Sequence, residues 1–146
     1  MSAPTPPEPS RHPERVAGLF VAVTWAAVVF AVDGLLAVAL DRDPIEFPVS
    51  PLYAVAALTL AMGAVYLGIV VTVPTRSPWL GTVGTVAAVY LVLVASAATV
   101  DVGLAFAQAQ SPFVIAAALI AAGPPIGCWA YFARQNVRSD PRMRDS

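Results

Sequence analysis

The sequence predicts an all-α membrane protein, a bundle of four transmembrane helices, and three observations predict it. First, 58% of the residues are hydrophobic and 12% charged, with a mean hydropathy of +0.75. A soluble domain is nearer half apolar and a quarter charged. Second, the apolar residues fall in four blocks: Val16–Leu40, Leu52–Val73, Leu80–Ala107 and Phe113–Phe132. Each can cross a hydrocarbon core of about 30 Å, which takes roughly 20 helical residues. Third, the only charged residues inside the blocks are Asp33 and Asp101. Helices that are apolar all round have no face to offer water.

The first 15 residues, MSAPTPPEPSRHPER, hold five prolines and no apolar pattern. They predict a disordered tail, because too little surface can be buried to offset chain entropy. Helix one follows over about 16–40. Ala37-Val38-Ala39 fits a small-x-small cleavage site. The apolar stretch is longer than the roughly 7–15 residues of a signal-peptide core, so a retained anchor is expected.

The connector DRDPIEFPVS carries Pro44 and Pro48, which stop helix. Helix two is expected over about 52–73, a tight turn at PTRSP, helix three over about 80–107, and helix four over about 113–132. Residues 134–146 form a polar tail. The whole of 16–133 reads as one transmembrane domain.

Arginines alone vote on orientation, since the chain has no lysine. Arg11, Arg15, Arg76, Arg134, Arg138, Arg142 and Arg144 fall on one side, Arg42 on the other. By the excess of basic residues in cytoplasmic loops, both termini are expected in the cytoplasm of a cell whose inner membrane holds the chain. Trp79, Trp129 and Tyr131 then form an interfacial aromatic belt.

An internal echo accompanies this layout. Val32-Asp33 matches Val100-Asp101, Leu36-Ala37 matches Leu104-Ala105, and Ser50-Pro51 matches Ser111-Pro112. Matches of Ala, Val and Leu are common in such a chain; Asp and Ser-Pro carry the echo. Read as a duplication, it predicts two parallel helical-hairpin repeats about an axis along the membrane normal. Ser50 and Ser111 are expected as N-caps, with Pro51 and Pro112 at the first helical position.

Asp33 and Asp101 each lie seven residues before an expected helix end, about 10 Å deep in the outer leaflet. An intramembrane carboxylate faces a bundle interior or a wet cavity. The pair, with Ser96, Thr99 and Gln108, forms a candidate ion or proton site. The alternative is that both aspartates meet the headgroup boundary or cap backbone donors.

Gly123, Pro124 and Pro125 interrupt helix four and form a candidate hinge or fixed kink, with the Ile120 and Ala121 carbonyls losing helical partners. Thr24 and Thr59 stand at a depth to supply donors. Gly63, Gly68, Gly81, Gly84 and Ala88 are expected at helix contacts.

Cys128 stands alone, which excludes an internal disulfide; it is expected as a small buried side chain. No His lies in a span, His12 being in the tail, so a haem on paired imidazoles is not expected. No metal-ligand spacing or phosphate loop appears, and no basic cluster points to nucleic acid. No enzyme, metal or cofactor is expected. Partners are the lipid bilayer and a second copy or another membrane protein.

The arginine-only, Ala/Val-rich layout with a Pro-rich start resembles small, functionally unassigned four-span membrane proteins of high-GC Gram-positive bacteria. It is also similar to the small multidrug-resistance transporters, which have four helices and an acidic residue in helix one, the place of Asp33. The first resemblance implies only an inner-membrane protein; the second implies transport. The expected function is a non-enzymatic accessory or scaffold protein, the alternative a small secondary transporter or cation or proton conductor using Asp33 and Asp101.

Overall fold

The computed structural model describes residues 13–44, 49–75 and 77–138. Arg11, His12, Arg76, Arg142, Arg144 and most of both expected tails lie outside them. Among the described residues the chain is all helical: α1 (Pro13–Leu40), α2 (Pro51–Thr72), α3 (Pro78–Ala98), α4 (Val102–Ala109), α5 (Pro112–Ile120) and α6 (Gly123–Arg138). Four stretches are long and apolar enough to cross a membrane: Arg15–Leu40, Leu52–Thr72, Pro78–Ala98 and Pro112–Gln135. The last is α5 and α6 together. Helix begins at Pro13 and runs to Arg138, so both expected tails give up a turn to the bundle.

Serine-proline sets the starts. Ser50, Ser77 and Ser111 are the N-caps of α2, α3 and α5, each followed by proline at the first helical position. Proline fits there because that N–H has no helical acceptor to lose. Ser50 Oγ accepts from Leu52 N at 3.3 Å, whereas Ser77 and Ser111 make no side-chain cap bond. Ser-Pro therefore marks three helix starts and is not peculiar to the two echoing passages. α1 stops differently. Asp41 takes a left-handed conformation (φ 48°) and Arg42 N bonds Ala37 O at 3.1 Å. This six-to-one closure satisfies a terminal carbonyl, and Asp tolerates the backbone it needs.

The third helix is shorter than expected. α3 ends at Ala98, and Thr99 and Val100 turn the chain. Asp101 adopts extended backbone and caps α4, its Oδ1 accepting from Leu104 N at 3.1 Å. A short carboxylate competes with the helix for backbone donors, and here it wins. α4 then folds back against α3. Tyr90, about two turns before the end of α3, donates its hydroxyl to Ala109 O at 2.9 Å.

α2 and α3 form the tightest pair. A Cβ on Gly68 would overlap the Thr85 side chain, with Cγ2 at 2.8 Å, and one on Gly81 would overlap Thr72, with its Cβ at 2.9 Å. Each helix thus lends a glycine to the other's threonine, the small-residue packing that lets backbones approach. Gly63 and Gly84 have nothing within 4 Å of an added Cβ and play no such part. Ala61, Val65 and Ile69 on α2 and Val89 on α3 complete the buried seam with Ala22, Trp25 and Val29 of α1.

The fourth unit has two axes. α5 packs on α1 and α3; α6 packs on α2 and α3 and barely touches α1. The bend lies at Ala121 and Ala122, where the Ala121 and Ala122 amides bond Ala117, Ala118 and Leu119 carbonyls. Pro124 and Pro125 fall in the first turn of α6, where missing N–H groups matter least. The threonines expected to serve the freed carbonyls do not. Thr24 bonds Phe20 O at 2.9 Å and Thr59 bonds Val55 O at 2.7 Å, each within its own helix.

Many large apolar side chains, such as Phe30, Leu35 and Val38 on α1 and Leu80 on α3, point outward. Such an exterior suits hydrocarbon rather than water.

Overpacking at Gly68→Ala or Gly81→Ala is expected to cost about 1–3 kcal/mol. Gly63→Ala or Gly84→Ala is expected to stabilise by up to about 1 kcal/mol through helix propensity. Unfolding midpoints of the four variants in mixed micelles check the contrast.

Candidate functional site

Two hydrogen bonds identify the ends of the bundle. Trp129 Nε1 donates to Thr75 O at 3.0 Å, placing α6 beside the α2–α3 connector at the end where α1 begins and α6 stops, the terminal end. Gln108 Nε2 donates to Pro44 O at 3.3 Å, placing α4 beside the α1–α2 connector at the other, distal end.

Because α5 leaves α2 uncovered, a cavity of about 550 Å³ opens in the distal half. α1 contributes Trp25, Val29 and Asp33, which recur at four-residue spacing and so share a face. α2 adds Tyr53 and Ala57, α5 adds Phe113, and Gln108 of α4 and Asp43 of the connector stand at the rim. The lining is largely apolar. Its charged members are the carboxylates Asp33 and Asp43.

Asp33 is half-buried, and its Oδ1 is sealed from solvent with no hydrogen-bond partner. Trp25, 2% exposed, likewise has an unpartnered indole N–H. Buried polar atoms are normally paired, because leaving one without a partner costs about 1–3 kcal/mol. Two such atoms share one face of α1, and two more, the Thr72 and Thr82 hydroxyls, lie at the α2–α3 seam.

A smaller space of about 210 Å³, lined by Arg42, Leu104, Gln110 and Ser111 among others, shares Asp43, Pro44, Gln108 and Phe113 with the cavity. The Gln108–Pro44 bond therefore lies on the common wall of a polar antechamber and an apolar chamber.

Of the five candidate site residues, Asp33 and Gln108 line this cavity together. Asp101 does not. It is exposed and engaged as the α4 cap, so the two aspartates do not share this pocket. Ser96 Oγ donates to Leu93 O at 2.8 Å and Thr99 Oγ1 to Ser96 O at 2.7 Å, local bonds that turn both hydroxyls back onto α3. Gly123 and Pro124 line a different cleft in the terminal half, and Pro125 is fully buried.

Trp25 and Tyr53 were not anticipated. The four-residue repeat of Trp25, Val29 and Asp33 was the available signal. Among the described residues no group of three or more His, Cys, Asp and Glu could hold a metal ion. No protein-family model, curated protein or solved structure matches the chain.

Asp101→Ala removes a cap and is expected to lower stability by about 1 kcal/mol. Asp33→Leu replaces an unpartnered buried carboxylate and is expected to raise it by about 1–3 kcal/mol. Opposite shifts in the unfolding midpoint are the result to look for.

Proposed function

We propose that the chain is a non-enzymatic integral membrane protein with both termini in the cytoplasm, and that its distal cavity takes up a small monovalent cation with an apolar body. The observation that carries this is Asp33, a carboxylate with an unpartnered oxygen in the wall of a largely apolar 550 Å³ cavity. Pockets that hold small molecules are of this kind: apolar walls with a few placed polar groups. A cation offers the missing counter-charge, and the apolar walls favour one that carries hydrocarbon over a bare metal ion.

Asp43 at the rim adds attraction at the entrance, and the Gln108–Pro44 bond lies between entrance and chamber. Movement of the bound cation across the membrane follows as the natural extension, with the bend in the fourth unit as the element that can rearrange. A passive scaffold, the competing reading, would keep its partners on neutralising Asp33 and would bind no cation.

Binding of alkylammonium ions of increasing size to the purified protein, measured by equilibrium dialysis in neutral detergent, tests the proposal. One ion per chain is expected, with affinity reduced about thirtyfold (~2 kcal/mol) in Asp33→Asn. Asp101→Asn is expected to bind as the wild type does. Absence of binding across the whole series, or equal loss in both variants, removes the cavity as the site.

A further inference from the structure

The same bend that opens the distal cavity leaves a second space, between α1 and α6 in the terminal half. It measures about 610 Å³ and is lined by Ala17, Val21 and Trp25 of α1 and Gly123, Gly127 and Tyr131 of α6, among others. The walls are largely apolar, with no charged side chain among the lining residues. The one hydroxyl among the α1 residues there, Thr24, is already bonded to Phe20 O.

The glycines are the informative part. An added Cβ on Gly123 or Gly127 would meet nothing within 4 Å. These residues are therefore not present to let a neighbouring helix approach, as Gly68 and Gly81 are. Glycine is the poorest helix former after proline, so two of them one turn apart on an unpacked face keep a space open.

The stripe continues. Gly123, Gly127, Tyr131 and Arg134 recur at four, four and three residues and share one face of α6. Arg134 is exposed. From Gly123 to Arg134 is about 16 Å of helix, roughly half of a 30 Å hydrocarbon core and so one leaflet deep. The lining is apolar and about one leaflet long, and Arg134, one turn beyond Tyr131 on the same face of α6, sets a positive charge past its end.

We propose that this cleft holds one acyl chain of an anionic phospholipid, with the lipid phosphate at Arg134. Guanidinium pairs with phosphate through parallel hydrogen bonds, and basic residues at the cytoplasmic face bind anionic headgroups. The inference rests on the membrane reading above but not on the cation at Asp33.

The test titrates the full-length protein in neutral detergent with phosphatidylglycerol or phosphatidylcholine, both brominated on the acyl chain. Trp79→Phe/Trp129→Phe leaves Trp25, in the cleft wall, as the sole tryptophan, and its quenching is read. Saturable quenching is expected, with phosphatidylglycerol half-saturating at a several-fold lower mole fraction. Arg134→Gln should merge the two curves, and Gly127→Leu, whose Cβ meets nothing within 4 Å, should fill the trough and remove the saturable component. Identical curves for the two lipids, or quenching that rises linearly and ignores Gly127→Leu, overturn the proposal.

If the double Phe variant does not fold, the wild-type melting temperature decides. Phosphatidylglycerol must raise it more than phosphatidylcholine, and Arg134→Gln must erase the difference; equal shifts overturn the assignment. Release of the chain from membranes by an alkaline wash would instead defeat the membrane reading itself.

Discussion

Two consecutive residues without an amide hydrogen govern the shape of this bundle. Pro124 and Pro125 cannot continue a helix that began at Pro112, so the fourth unit is made of two helices with different neighbours. One lies against α1 and α3, the other against α2 and α3. A straight rod would have filled a single groove from end to end. The bent one leaves α2 uncovered in the distal half and α1 uncovered in the terminal half, and the two large cavities occupy those gaps.

The bend needs a stiff partner, and α2 with α3 supply it. Their mutual threonine-into-glycine fit fixes the register of the two longest-packed surfaces, and α3 touches both halves of the fourth unit. For helices long and apolar enough to span a membrane, where lipid offers no hydrophobic driving force between them, such close packing is the main source of cohesion. α1, by contrast, carries the unpartnered Asp33 and Trp25 atoms and some of the most exposed apolar residues. The α2–α3 side, although closely packed, also holds unpartnered hydroxyls at Thr72 and Thr82, so α1 is distinguished by carrying the one unpartnered carboxylate among the described residues.

The sequence disclosed what depends on local rules. Block length set the four span-length units, Ser-Pro their starts, and the proline pair the break in the last one. It concealed what depends on competition between neighbours. Whether Asp101 stays in a helix or caps the next one is decided by a single carboxylate-to-amide bond, and hydropathy cannot see it. Thr24 and Thr59 looked like donors for the freed carbonyls and Ser96 and Thr99 like members of an ion site, yet each hydroxyl found a carbonyl three or four residues back in its own stretch of chain. Glycines were misleading in the same way. Gly68 and Gly84 look alike in sequence, and only the position of the facing helix separates a contact from open space. The Asp33 cavity was half legible: the acidic residue drew notice, but its wall depends on the bend.

Trp25 belongs to the lining of both spaces. A partition shared by two rooms cannot swing into one without enlarging the other. One indole therefore borders both spaces, and a change in its surroundings reports on either of them.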